Sequence, residues 1–149
     1  MRGAFVALRL AVGEVTVLLG PAPARRDVMA RLDDGTGRVP DGGGAVRVAR
    51  LAAHPGTDLD GRLAAVRSAG ETGASIVLVD RLTDGLDAGG RRVVLAALRR
   101  IAGGGAAVLV DDADPVAALA VADGAVRTTA DGGLDPVPGL DGGLDYLAS

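Results

Sequence analysis

Lysine, asparagine, glutamine, cysteine and tryptophan are all missing from this chain of 149 residues, and several of these absences close off a kind of chemistry. Without lysine there is no Schiff-base amine and no ammonium to hold against phosphates. Every basic side chain is an arginine, a planar fork rather than a point charge. Without cysteine there is no disulfide framework, thiol nucleophile or thiolate metal site. Phe5 and Tyr146 are the only aromatics, and the net charge is -3, which argues against a general nucleic-acid binder with its basic patch and stacking aromatics. No apolar run approaches the ~18 residues of a membrane span, so direct membrane insertion is not expected. Arg9 interrupts the opening stretch over 3–10, which argues against a secretory leader. A cytoplasmic setting fits these features.

What is present is aliphatic. Hydrophobic residues make up 48% of the chain, which suffices for the core of one domain. That core must be built from Val, Leu, Ile and Ala. Small side chains suit close helix-on-sheet packing but bury less area each, at ~25 cal/mol per Å², so modest stability is expected.

Along the chain, residues 5–12 alternate and suit an edge strand, and Gly13-Glu14 a turn. Residues 15–19 (VTVLL) are a short β-branched run of the kind found in buried strands. A loop is expected over 20–26, a short helix over 27–32, a Gly- and Asp-rich loop or hairpin over 33–44, a strand over 46–51 and a helix over 61–69. The second half is clearer. Residues 75–80 (SIVLVD) read as a buried strand ending in an acid, then a loop, then an amphipathic helix over 88–102. Val94, Leu95, Leu98 and Ile101 share one face of that helix, flanked by Arg91, Arg92, Arg99 and Arg100. Asp87 suits its N-cap, and Gly103 to Gly105 its stop. A strand over 106–110 follows, then a helix over 116–122 introduced by Asp114-Pro115, then a final strand over 125–129. Such alternation implies a mostly parallel sheet with helices packed on it. The domain is placed at 1–130. Residues 131–149, with repeated Gly-Leu-Asp units, are read as a tail.

Three segments taken together carry a family resemblance: GEVTVLLGPAPARRDV (13–28), SIVLVDRLTDGLDAGGRR (75–92) and AAVLVDDADPVAALAVADGAV (106–126). In order and content they resemble the nucleotide-binding domain of ATP-binding-cassette (ABC) transporter proteins, in a shortened and degenerate form. The middle segment is the most specific, since Asp80, Thr83, Gly85, Leu86 and Asp87 look like a Walker B acid and a D-loop. The resemblance implies a three-layer α/β fold with a P-loop NTPase-like core. The span from Arg26 to Asp80 is too short for the helical subdomain of a full cassette. It also implies ATP and Mg²⁺ as ligands, and as partners a membrane permease and a second ABC-type subunit. The chain would then sit in the cytoplasm, peripheral to the membrane through that partner.

The working residues of that family are mostly replaced. A P-loop reads G-x-x-x-x-G-K-[ST], whose backbone N–H groups wrap phosphates while Lys and a hydroxyl hold the outer phosphates and Mg²⁺. Here only Gly20 matches; Arg25, Arg26 and Asp27 stand for the second Gly, the Lys and the Ser/Thr, and Pro23 removes an N–H. Residual phosphate contact and a plain strand-to-helix turn are both open readings of this stretch. Asp80 suits Mg²⁺, but the neighbouring catalytic Glu is Arg81, which stays protonated and cannot serve as a base. Ala113 stands where the switch His would be, and neither a signature motif nor a Gln for the Q-loop is present.

Other constellations are weaker. Asp80, Asp111 and Asp112 would converge if their strands are parallel neighbours, as a Mg²⁺ pocket, a phosphorylation site of receiver type (lacking its Lys) or solvated strand-end acids. Arg25-Arg26 and Arg91-Arg92 suit surface charge or an anion site. Gly42 to Gly44 suit a flexible turn, and His54, the single histidine, a solvated loop position. The function expected is that of an ABC-type ATP-binding protein associated with a transporter, with impaired or absent hydrolysis. The alternatives are a non-catalytic interaction or regulatory domain that no longer binds nucleotide, and a weak Mg-ATPase using Arg26 and Asp80.

Overall fold

The computed structural model describes residues 8–32 and 46–137. The expected loop or hairpin over 33–44, the turn over Gly42 to Gly44 and the first part of the expected strand over 5–12 lie outside them. Within them the chain alternates strand and helix: β1 (Val15–Leu19), α1 (Ala22–Arg31), β2 (Val48–Ala52), α2 (Leu59–Glu71), β3 (Ile76–Asp80), α3 (Ala88–Gly103), β4 (Ala107–Asp111), α4 (Pro115–Leu119), β5 (Gly124–Thr128) and β6 (Leu134–Pro136). The six strands form one sheet in the order β2-β3-β4-β1-β5-β6. All neighbours are parallel except β5 and β6. The expected α/β class with a mostly parallel sheet is therefore present.

The central strands are apolar on both faces because helices cover both. Alternating residues divide cleanly. Val15, Val17, Leu19, Val77, Val79, Val108 and Val110 join the core shared with α2, α3 and α4. Leu18, Leu78 and Leu109 face the other way and meet Val28 and Met29 of α1. The two sides are unequal. α1 buries only Arg25, Val28 and Met29, an i, i+3, i+4 set. Val28 and Met29 are almost fully buried and contribute about 1.5–3 kcal/mol each.

Several expected boundaries shift for identifiable reasons. α1 begins at Ala22, not at 27, because Pro21 and Pro23 at its start suit a first helical turn that needs no N–H donors. Residues 8–12 form no strand; Leu8 and Leu10 instead pack beside α1. α4 stops at Leu119, shorter than the expected 116–122, and its last N–H groups close tight turns. The strand over 124–128 is not the last. β6 pairs antiparallel with it through Thr128↔Leu134, and so part of the segment read as a tail forms the sheet edge. Asp87 and Asp114 cap α3 and α4 as expected, accepting from Gly90 N at 2.7 Å and Ala117 N at 3.1 Å.

Gly20 ends β1 at a φ of 124°, and a Cβ there would lie 2.1 Å from Thr128 Oγ1 of the neighbouring strand. Glycine is needed for both the backbone and the space. Gly20→Ala is expected to cost roughly 2–4 kcal/mol in urea unfolding. Adding Thr128→Ala should recover the steric part and leave the backbone part. A Gly20→Ala protein as stable as the parent contradicts this packing.

Candidate functional site

The carboxyl edge of the sheet is where an open α/β sheet takes ligands. Three acids converge there, because β3 and β4 are parallel neighbours with Asp80 opposite Asp111. Side chains alternate along a strand, so Asp80 and Asp111 share the α1 face with Leu78 and Leu109. Asp112, one residue past β4, turns toward α3. Asp111 and Asp112 are each only 1% exposed.

Each buried acid meets an arginine from a different helix. Arg25 of α1 lies 3.4 Å (Nη1) from Asp111 Oδ1 and donates to the Asp112 carbonyl at 3.0 Å. Arg91 of α3 lies 3.4 Å (Nε) from Asp112 Oδ1 and donates to Thr83 Oγ1 at 3.0 Å. Thr83, fully buried, donates in turn to Asp112 Oδ2 at 2.7 Å, and Asp114 N closes the network on Oδ1 at 2.8 Å. Asp80 is held by Arg81, whose Nε lies 3.1 Å away. That hydrogen bond holds the Arg81 guanidinium above its ordinary pKa. Arg81 N also donates to the Asp111 carbonyl at 2.8 Å, carrying the β4 pairing one residue past β3. Among the described residues Arg81 alone combines a side chain with a positive φ, 54°.

Arg25 and Arg91 occupy the same place in their helices, the fourth residue. Helical side chains lean toward the N-terminus, so a first-turn residue reaches back over the strand end. Each arginine pair therefore splits. Arg25 and Arg91 turn inward, and Arg26 and Arg92 stay exposed. The surface-charge reading holds only for the second member of each pair. Asp27, at the position of the P-loop hydroxyl, is exposed and pairs with Arg31 one turn on, at 2.9 Å. His54 is exposed, as expected.

The stretch over 81–87, the most family-like in sequence, serves the fold directly. Asp87 caps α3, Gly85 takes a φ of 83°, and half-buried Leu86 packs against the core. Arg62 of α2, which sequence reasoning passed over, clamps the loop from outside. It is 7% exposed and donates to the carbonyls of Leu82 at 3.0 Å, Asp84, and Thr57 at 3.1 Å. A basic residue one turn into a helix beside an acid-rich loop was the available signal.

Most groups that would hold either implied ligand are replaced or already bonded. A phosphate at a helix N-terminus needs free backbone N–H groups. At α1 the helix starts two residues after Gly20, Pro21 and Pro23 carry no N–H, and Arg25 N is bonded to Pro21 O. Mg²⁺ needs several oxygen ligands unopposed by cations. Asp80 and Asp111 each face a guanidinium, and no group of three acids or histidines with metal-site spacing occurs among the described residues. Asp111 Oδ1 and Arg25 Nε are buried without a hydrogen bond among the described residues, so the pair is electrostatic rather than well bonded.

No protein-family model and no curated protein matches the chain. Among solved structures, it is similar to one described as "Structure of ATP binding subunit of ABC transporter", with a TM-score of 0.57 and 15% identity. The match covers 96% of this chain and 90% of that one. At this identity the likeness is one of fold, and it spans nearly the whole chain rather than the motif segments alone. No helix among the described residues is long and apolar enough to cross a membrane.

Burial pushes the Asp111 carboxyl above the ordinary carboxylate range, with Arg25 opposing the shift. The folded state therefore takes up this proton at a higher pH than the unfolded chain. The associated stability is present at acid pH and is lost as pH rises through the raised value. Urea unfolding across that window should show this loss in the parent and a flatter profile in Asp111→Asn. Arg25→Met should cost about 3–5 kcal/mol near neutral pH, because it strands a buried carboxylate, and less at acid pH. A pH-independent penalty for Arg25→Met would contradict the pairing.

Proposed function

We propose that this chain is an ABC-type ATP-binding-subunit homologue that works at a membrane transporter without hydrolysing ATP itself. The single observation that carries the reading is the combination at β3. The fold of an ATP-binding subunit extends over nearly the whole chain, yet the strand-end acid Asp80 is bonded to Arg81, where the resemblance expects a general base. Arginine keeps its proton at any working pH and cannot activate water. In this reading the helical subdomain of a full cassette is absent. The chain contributes a docking body to a permease or to a second, competent ABC-type subunit, at the cytoplasmic face of the membrane. Gly20, Arg26 and the N–H groups of Ala22 and Ala24 are the remaining candidates for contact with ATP. Asp80 is the one remaining candidate for Mg²⁺.

A second reading drops the nucleotide altogether and leaves an interaction or regulatory domain. The prolines at the start of α1 and the inward Arg25 favour it. Both readings exclude turnover.

Calorimetric titration with Mg-ATP, paired with phosphate-release assays, separates them. Under the first reading binding saturates with no release above the blank; under the second nothing saturates at millimolar ATP. Phosphate release that disappears in Asp80→Asn would overturn both in favour of a weak Mg-ATPase. Co-purification of a polytopic membrane protein with the tagged chain is the expected sign of transporter association.

A further inference from the structure

Between α2 and α3 runs an apolar groove of about 320 Å³, lined by Leu63, Val66, Arg67, Ala97, Arg100 and Ile101. Its floor is core, with Val66 1% and Ala97 7% exposed. Half-buried Leu63 and Ile101 belong to its walls. The helices meet closely at Gly70, where a Cβ would lie 3.1 Å from Ile101 Cγ2. Arg67 and Arg100 stand exposed on the rim, and neither forms an ion pair among the described residues. An apolar slot rimmed by two uncommitted guanidinium groups fits a segment carrying leucine-sized side chains and carboxylates.

The chain itself carries such a segment. Residues 138–149, outside the described residues, read PGLDGGLDYLAS. They combine Leu140, Leu144, Tyr146 and Leu147 with Asp141 and Asp145, and contain no basic residue. The place where the described chain ends points the same way. Val137 N donates to the Ala125 carbonyl at 2.9 Å, and the Val137 side chain packs on the core cluster that Leu63 and Ile101 also cover. The described chain therefore ends, at Val137, on the sheet face that bears the groove. From β6 to β3 is four strand spacings, about 19 Å, while a segment of this length spans about 40 Å when extended.

We propose that residues 138–149 seat in the α2–α3 groove, with leucine side chains in the slot and Asp141 and Asp145 on Arg67 and Arg100. The proposal stands independently of nucleotide binding.

Methyl and amide NMR of the full chain and of a chain ending at Val137 tests it. Removal should shift the signals of Leu63, Val66 and Ile101 and leave Val28 and Met29, on the opposite face, unmoved. A peptide of residues 138–149 added to the shortened chain should reverse those shifts. Its affinity should fall at least tenfold in R67E/R100E, and equally when the peptide carries D141N/D145N. Both arginines are exposed, so the variant keeps its fold, and unchanged Val28 and Met29 signals verify this. Groove signals that ignore the truncation, or a peptide that binds R67E/R100E equally well, overturn the proposal. So does a full chain that dimerises through the groove while residues 138–149 stay unbound.

Discussion

Consecutive side chains of extended backbone point to opposite faces, and β4 ends in Asp111 with Asp112 directly after it, both almost fully buried. A carboxylate taken out of water costs several kcal/mol unless a cation meets it. Two carboxylates on opposite faces therefore need two cations from opposite helices. Arg25 and Arg91 supply them, each from the first turn of its helix. This pairing fixes how α1 and α3 sit against the strand ends. Through Thr83 it also fixes the loop between β3 and α3, which Arg62 secures from the other side. Such pairs add little net stability compared with an apolar replacement, but losing one partner is costly. The edge is thereby committed to one arrangement.

That commitment limits what the edge can offer a ligand. A nucleotide site at this edge would need free backbone donors, a mobile cation for the outer phosphates and unpaired acids for a metal. The chain instead offers a helix that opens on prolines and acids already matched to guanidinium groups. Its likeness to an ATP-binding subunit is a likeness of scaffold. Arg25 and Arg81, which stand where the proposed family would carry a P-loop glycine and a general base, serve here as internal partners of Asp111 and Asp80.

Much of the fold was legible in sequence, because β1, β3 and β4 are almost continuous apolar runs and α3 has a well-defined apolar face with a capping Asp and stopping glycines. Elements without such periodicity were misplaced. α1 was expected to begin late because two prolines and an Arg pair resemble a loop, although proline suits a first helical turn. β6 was missed because three residues among Gly and Asp carry no strand pattern, and only its pairing with β5 makes it a strand. At the site, the convergence of Asp80, Asp111 and Asp112 followed from the strand ends. The direction of the arginines did not. Composition reads Arg25 and Arg26 alike, and only helical phase over a strand end sends one inward and the other to solvent.

Pairing with arginines, rather than with a metal ion, neutralises the strand-end acids. Its most direct test is paramagnetic: Mn²⁺ titrated into labelled protein while the backbone signals of Asp80, Asp111 and Asp112 are followed. Internal pairing predicts no broadening at these residues beyond that of exposed acids such as Asp60. Selective, saturable broadening at Asp80 and Asp111 would show an open metal site there and contradict the claim.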